Sequence, residues 1–196
     1  MKRNYHHGDL RAALLTAAAE QITEGGVDSV SLRALARRCG VSHAAPAHHF
    51  GDRTGVFTAL ATEGFDLLTA ELDRAGERLL DGGLAYVRFA LAHPGHFDVM
   101  FRHDLLNAAD PVLTTARTRA GERLGTAVAH GTADATDARP LRLAAWSVAH
   151  GFASLWREGA FGEPADTDAA ERLAVSVLGT VRLTGVDADR ETGADT

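Results

Sequence analysis

The sequence of 196 residues has a single cysteine and only 6% aromatic residues. Cys39 cannot close an internal disulfide, so the chain suits a reducing compartment such as the cytoplasm. No apolar run is long enough to cross a bilayer, and the first residues lack the apolar segment of a signal peptide. With 45% hydrophobic residues the chain can still bury a substantial core. We therefore expect a cytoplasmic, globular protein without membrane association.

The motifs of common enzymes are missing as well. The sequence contains no His-Glu-x-x-His, no phosphate-binding glycine loop with lysine and no Gly-x-Ser-x-Gly. Ten histidines keep a metal-responsive regulator open, although His93 and His96 flank a Pro-Gly corner without a thiolate partner. We predict no catalytic residue, no metal and no cofactor, with an all-helical enzyme as the other alternative.

The net charge of −6 is unevenly distributed along the chain. Residues 1–55 contain seven Lys and Arg against five Asp and Glu, a net charge of +2, so the remainder carries −8. A basic front end on an acidic body is expected where only one part meets phosphate groups. The first basic residues form either an arm along a groove or a disordered end: Lys2, Arg3, His6 and His7.

Apolar periodicity and turn residues predict about nine helices and no sheet, an all-α fold. The first helix ends at Gly25-Gly26, the second begins at Ser31 and ends at Gly40, and Ser42 is expected to cap the third. Asp52 is expected to cap a long fourth helix reaching about Leu80. The apolar stripe of the first helix consists of Leu10, Leu14, Ala18 and Ile22.

The remaining helices follow from proline, glycine and capping residues. Pro94 separates two short helices, and Asp110-Pro111 opens a long one. Asp168 with Glu171 resembles a capping box. The predicted helices cover residues 84–93, 94–101, 111–130, 140–158 and 168–183, with a loop at 131–140 and a tail from residue 186.

Residues 31–50 fit a helix-turn-helix unit. Ala36 is small enough for the second and third helices to meet, Gly40 suits a turn with positive φ, and Val41 fills the space between the helices. Ser42 would cap the third helix and leave its free N–H groups directed at DNA. Cys39 lies in this turn and is interpreted as a packing residue.

This pattern resembles the TetR family of bacterial repressors. The resemblance rests on residues 12–22, on Gly26-Val27-x-x-Val30-Ser31-Leu32-x-x-Leu35-Ala36, on Gly40-Val41-Ser42 and on His49-Phe50-Gly51-Asp52-Arg53. Further on, Tyr86-Val87-Arg88-Phe89-Ala90, Pro94, Met100-Phe101 and Trp146-x-x-x-His150-Gly151 resemble the C-terminal domain type named for its Trp-His-Gly signature.

The resemblance implies a ligand-responsive transcriptional regulator that binds DNA as a homodimer. It would repress from a near-palindromic double-stranded operator and release it when a small organic effector binds; the operator's position decides between repression and activation. The implied domains are a helix-turn-helix domain at residues 1–54, a ligand-binding and dimerisation domain at 55–185 and a disordered tail at 186–196.

The third helix departs from the family pattern. Ala45 and Ala47 stand where the family usually has a Thr and a Tyr that contact phosphates, and Pro46 lies between them. We therefore expect histidine and arginine to make more of these contacts, while Phe50 belongs to the core. Arg37 and Arg38 form either a solvated face or a DNA contact. The expected DNA-binding residues are Arg33, Ser42, His43, Ala44, Ala45, Ala47, His48, His49 and Arg53.

The last two helices are expected to form the dimer surface by closing a four-helix bundle, unless their apolar stripes pack within one subunit. These stripes contain Leu141, Leu143, Ala144, Ala145, Val148, Phe152, Leu155 and Trp156, and then Leu173, Val177, Leu178 and Val181. The resemblance also implies an effector pocket. Its candidate lining is Phe65, Phe89, Phe97, Met100, Phe101, Trp146, His150 and Phe152, in which His150 either contacts the ligand or bonds a core carbonyl.

Overall fold

The computed structural model describes residues 7–76, 78–129, 138–162 and 167–180. These residues form nine α-helices and one short 3-10 helix at Val27–Ser29, with no strand among them, so the predicted all-α fold is confirmed. The helices are α1 His7–Gly25, α2 Leu32–Arg38, α3 Ala44–Phe50, α4 Arg53–Arg74, α5 Leu79–Ala92, α6 Pro94–Met100, α7 Pro111–Ala129, α8 Ala138–Arg157 and α9 Thr167–Gly179. The tail, Val181, Lys2, Arg3, His6 and most of the predicted 131–140 loop lie outside the described residues.

The chain divides into two compact units. The first extends to Asp66 and takes in His93–Arg117, so it holds α1 to α3, the start of α4, α6 and the start of α7. The second combines Leu67–Ala92 with the chain from Thr118 and is built from α5, α8 and α9 together with the remaining turns of α4 and α7. The two units are the parts of the chain that pack compactly. They do not test the functional boundary expected at residue 54, which stays a prediction.

Two predicted helix boundaries are wrong. α4 ends at Arg74, and Leu79 and Leu80 open α5 instead of closing α4. The break falls around Gly76, where an added Cβ would lie 2.6 Å from a carboxylate oxygen of Asp81. An apolar pair beside a glycine fits the end of one helix and the start of the next equally well, so periodicity alone places it on either side.

The expected capping box of the last helix also does not form. α9 begins at Thr167, so Asp168 already lies within its first turn. Glu171 does not close a capping box, because its Oε2 accepts a hydrogen bond of 2.7 Å from Arg88 Nη2. This ion pair joins α9 to α5 within the second unit.

The core of the first unit forms where the stripe of α1 meets α2 and α6. Leu14, Ala18 and Ile22 are at most 1% exposed, as predicted. α6 approaches α1 so closely that a Cβ on Gly95 would overlap the backbone of Ala19. Glycine is therefore needed at position 95 for this contact.

In the second unit, α5, α8 and α9 pack around a small apolar core. Val87, Phe152 and Ala174 are its fully buried members. Half-buried apolar side chains surround it: Leu84, Leu91, Trp156, Val177 and Leu178.

The junction between α3 and α4 is a close backbone contact of the first unit. Gly51 ends α3 with φ 76°, a conformation that favours glycine. The Asp52 carboxylate then accepts a hydrogen bond of 2.8 Å from the Gly55 N–H, so the predicted cap of α4 is confirmed. A Cβ on Gly55 would overlap the carbonyl of Phe50, so no larger residue fits unless the backbone moves.

We predict that Gly55→Ala destabilises the protein although alanine favours helices. Overpacking against backbone should cost about 1–3 kcal/mol of unfolding free energy. In Gly121→Ala, the matched control on α7, the added Cβ meets no atom within 4 Å, so this change should stabilise by roughly 0.5–1 kcal/mol. Urea unfolding of both variants at one protein concentration tests this, and equal effects would contradict it.

Candidate nucleic-acid interface and effector residues

The helix-turn-helix unit has the predicted caps and turn at α2. Ser31 caps α2, since its side chain accepts a hydrogen bond of 3.2 Å from the Ala34 N–H. Gly40 has φ 66°, as the turn requires. The Val41 N–H then donates to the Ala36 carbonyl at 3.0 Å, and Ala36 is fully buried. These bonds fix how the chain leaves α2 and enters the recognition helix α3.

The expected cap of α3 is wrong. His43 precedes the helix with φ −60° and ψ −22°, and no side chain caps it. The backbone carbonyl of Ser42, rather than its hydroxyl, accepts a hydrogen bond of 3.0 Å from the Ala45 N–H. Because His43 already has helical dihedral angles, the helical turn extends back to the residue before α3. Pro46 lies in the first turn, where a missing N–H costs little, and it is buried.

The α3 face predicted to meet DNA is open and built from short side chains. The exposed residues among those predicted are Arg33, Ser42, His43, Ala44, Ala47 and His48, whereas Ala45 and His49 are half-buried. The rings of His48 and His49 lie 5.6 Å apart, edge to face. α3 carries no Lys or Arg, so histidine provides its only side chains that can become cationic.

Arg53 and Phe50 have different surroundings from those expected. Arg53 Nη2 donates to the Val27 carbonyl at 2.7 Å and to Asp28 at 3.3 Å. Its guanidinium lies 4.9 Å from the Phe57 ring centre, so Arg53 binds the start of α4 to the 3-10 helix. Phe50 is only half-buried, because its ring packs under the guanidinium of Arg11 at 5.3 Å rather than in the core.

Arg38 is one of the two neighbouring arginines whose role the sequence leaves open, and two carboxylates bind its side chain. Its guanidinium bonds Glu20 at 2.9 Å and Glu24 at 2.8 Å, and these bonds raise the pKa of Arg38 and lower that of Glu24. Arg37 and Arg38 are both exposed, but this network directs Arg38 towards α1.

The predicted effector residues divide into two groups, one in each unit. In the first unit Phe65, Phe97 and Phe101 form an aromatic cluster. Phe101 lies 5.8 Å from Phe65 and 6.0 Å from Phe97, each edge to face. The fourth residue, Met100, is fully buried, and its sulfur lies 2.7 Å from where a Cβ of Gly64 would be.

In the second unit His150 and Trp146 meet Tyr86. The indole N–H of Trp146 donates to the Tyr86 oxygen at 3.3 Å, and that oxygen lies 2.8 Å from His150 Nδ1. The indole can only donate, so the Tyr86 oxygen accepts from Trp146, while the imidazole tautomer decides which of Tyr86 and His150 donates in the second bond. His150 therefore contacts a buried hydroxyl, and its expected contact with a ligand stays a prediction.

Burial shifts the pKa of both partners of this hydrogen bond. Desolvation raises the pKa of fully buried Tyr86 well above its usual range, and the Trp146 hydrogen bond only partly opposes this. Desolvation lowers the pKa of His150, which favours the neutral form. Phe89 and Phe152, the other two candidates in this unit, are at most 3% exposed and belong to its packing.

The described residues bear on membrane spanning and on the metal-responsive alternative. None of their helices combines the length and apolarity needed to cross a membrane. Among the same residues, no three or more His, Cys, Asp or Glu side chains come together in a way that could hold a metal ion. His96 Nε2 lies 3.2 Å from Glu63 Oε2, and the His93 ring stands nearly perpendicular to that of His96.

Known families match both parts of the chain. The family described as "Bacterial regulatory proteins, tetR family" matches residues 14–60, across α1 to α3 and the start of α4. The one described as "Tetracyclin repressor-like, C-terminal domain" matches residues 79–178. The chain belongs to the TetR family. The Trp-His-Gly subtype of its C-terminal domain stays a prediction.

Individual relatives agree with this family. Over 93 residues the chain is 32% identical to the HTH-type transcriptional repressor Rv1474c of Mycobacterium tuberculosis, a match that covers 47% of this chain and 46% of the relative. The chain therefore spans about half the length of that curated relative.

Solved structures share the fold over most of the chain. A protein with unknown function from Rhodococcus sp. RHA1 is 35% identical with a TM-score of 0.70, covering 90% of this chain and 97% of that one. The TetR family transcriptional regulator PfmR from Thermus thermophilus has a TM-score of 0.69 at 21% identity, covering 89% and 98%. At that identity the second likeness concerns the fold alone.

Two residues of this TetR-family chain have contacts that the sequence did not indicate. Tyr86 was recognised only as part of a motif, yet it is the shared partner of Trp146 and His150. No sequence pattern marks Arg117, yet its guanidinium stands 5.6 Å from the ring centre of Phe65. An arginine in a polar helix face gives no sequence signal for such a contact.

We predict that His150 makes the protein less stable as the pH falls. Because its pKa is lowered on folding, the unfolded chain takes up the proton first. The stability that His150 contributes is complete above its ordinary value of 6.5 and is lost progressively below it. Melting temperatures from pH 7.5 to 5 should fall more steeply for the wild type than for His150→Gln, whose amide can hydrogen-bond the Tyr86 hydroxyl but does not titrate.

His48→Gln serves as the control, since His48 is exposed on α3. That variant should keep the wild-type slope. Parallel curves for all three proteins would show that protonation of His150 does not limit stability.

Proposed function

We propose that this protein is a transcriptional repressor that binds a near-palindromic double-stranded operator as a homodimer and releases it when a small organic effector binds. The observation that carries this proposal is the open face of α3 behind a fully formed helix-turn-helix turn. The aligned repressor of Mycobacterium tuberculosis supports the choice of repression. Such a protein acts in the bacterial cytoplasm, where the DNA is.

The surface of α3 suits insertion into a major groove. Ala44 and Ala47 are exposed and short, so the helix backbone can approach the bases closely, and a groove about 12 Å wide admits a helix. His43 and His48 flank this small surface and can reach phosphates or base edges. Exposed Arg33 on α2 adds a cation that has no side-chain partner within the described parts of the chain.

Arg53 is placed differently in this proposal. Its contacts with Val27 and Phe57 occupy much of the guanidinium, although 41% of the side chain stays exposed. Removing Arg53 would disturb the start of α4 as well as any phosphate contact. A change on α3 itself therefore tests DNA binding more cleanly.

An apolar surface on α8 and α9 supports dimerisation. Part of each apolar stripe is buried within the subunit, because Phe152, Val177 and Leu178 pack into the core of the second unit. Other apolar side chains of these helices remain 38–46% exposed, and packing inside one subunit does not cover them. These are Leu143, Leu155, Leu173 and Val175. A second copy would bury this surface in a four-helix bundle.

Effector response would act through α4, which runs from the helix-turn-helix unit to Phe65 within the first unit. A ligand favouring one spacing of the two recognition helices over another would change DNA affinity. Such coupling is typically about 1–3 kcal/mol, or roughly 5–150-fold.

The first experiment selects operators from a randomised duplex library with the whole protein and measures affinity by gel shift. The wild type should enrich inverted repeats. Ala47→Glu should lower affinity at least about a hundredfold, because a carboxylate on the exposed face of α3 meets DNA phosphates. Ala160→Glu is the control, since Ala160 is exposed in a turn after α8.

Failure to enrich any duplex would contradict the proposal. It would also contradict it if Ala47→Glu bound as tightly as Ala160→Glu, because α3 would then not touch DNA. Circular dichroism spectra of all three proteins establish that the variants are folded.

We predict that Leu155→Asp converts the dimer into a monomer. A charged carboxylate in an apolar interface costs several kcal/mol unless it is paired. Sedimentation velocity should show a monomer, and operator affinity should fall because each half-site is then bound singly. Val112→Asp alters a still more exposed apolar residue, at 63%, and should remain dimeric. A dimeric Leu155→Asp variant would place the interface elsewhere.

A further inference from the structure

Arg117 on α7 has a buried guanidinium nitrogen without a hydrogen-bond acceptor. Its Nη2 is inaccessible to solvent, and among the described residues no acceptor lies within bonding distance of that atom. Buried donors are nearly always paired, and a buried cation without an acceptor is costly. This arrangement therefore points to an acceptor that the described residues do not provide.

Several other arginines of the described residues are satisfied differently. Arg53 also has one buried unpaired nitrogen, but its Nη2 binds a carbonyl and a carboxylate. Arg88 pairs with Glu171 at 2.7 Å, and Arg123 pairs with Asp73. Arg117 makes no ion pair with any described carboxylate, so its positive charge is available.

The surroundings of Arg117 are aromatic. Its guanidinium lies 5.6 Å from the ring centre of Phe65, which is only 3% exposed. Phe101 packs on Phe65 and is half-buried, so part of the cluster reaches solvent. The contact with Phe65 stabilises the cation from one face but supplies no acceptor for its N–H groups.

We propose that Arg117 binds the carboxylate of an organic effector whose apolar part packs on the cluster of Phe65, Phe97 and Phe101. This inference rests on the proposed function, since it names the chemical class of that effector. The planar guanidinium matches a carboxylate with two parallel hydrogen bonds. The aromatic rings favour a ligand with an apolar body over a small inorganic anion.

Phe65 connects this site to the DNA-binding element. It lies on α4, the helix that starts at the junction with α3. An anion bound to Arg117 would shift a guanidinium that lies against Phe65. Phe65 and Arg53 belong to the same helix, α4. Effector binding and the position of the recognition helix can thus be linked within the first unit.

The experiment compares two carboxylates with their matched alcohols: decanoate with decanol, and 4-phenylbutyrate with 4-phenylbutanol. Isothermal titration with the full-length protein measures each affinity. At least one carboxylate should bind about tenfold or more tightly than its alcohol, as expected for a hydrogen bond to a charged group. Arg117→Met should remove this preference and leave alcohol binding within about twofold.

Arg117→Lys keeps the charge without the planar fork and should retain part of the preference. Arg119→Gln, an exposed arginine on the same helix, is the matched control and should behave like the wild type. If neither carboxylate outbinds its alcohol, or if the preference survives in Arg117→Met, the proposal is wrong. Raised thermal stability of Arg117→Met without any carboxylate preference in the wild type would identify a merely unsatisfied donor.

Gel shifts separate this inference from the proposed function. Carboxylate binding that depends on Arg117 and releases the operator supports both. If carboxylate binding depends on Arg117 but leaves the DNA complex intact, the binding site is supported and its role in releasing the operator is contradicted. If no operator is found, the titrations still test the site.

Discussion

The backbone contact between Phe50 and Gly55 is the constraint on which the helix-turn-helix unit depends. It requires glycine at position 55, and the turn before it requires Gly51 with positive φ. The Asp52 carboxylate closes the first turn of α4, and Arg53 anchors that turn to the Val27 carbonyl. These bonds fix the recognition helix to a long helix, so a force on α4 can change the position of α3.

The sequence predicted those elements whose signals are local. The caps at Ser31 and Asp52, the positive φ of Gly40 and the apolar stripe of α1 each depend on residues within a turn or two. The predictions that were wrong also rest on local signals, but these signals fit more than one helix boundary. Ser42 and His43 compete for the start of α3, and the Leu79-Leu80 pair fits either side of the break around Gly76.

Side-chain roles were harder to predict, because they depend on partners distant in sequence. Arg53 was expected to face phosphate, yet its partner Val27 lies on a turn that no pattern places beside α4. Arg117 carries the same sequence signal as any arginine of a polar helix face, and only the fold places it on Phe65. The effector candidates divided for a related reason, since α5 belongs to one unit and α6 to the other.

The small contact surface of α3 explains why an exposed apolar surface on α8 and α9 would matter for DNA binding. Short side chains and histidines give each recognition helix few charge-assisted contacts, so a single half-site would be bound weakly. Joining two copies makes binding to the second half-site intramolecular, which raises the overall affinity without a new contact. The same linkage makes the complex sensitive to the spacing of the two helices, because a mismatch forfeits one half-site entirely. Under the proposed function, a modest movement of α4 would then be enough to release DNA.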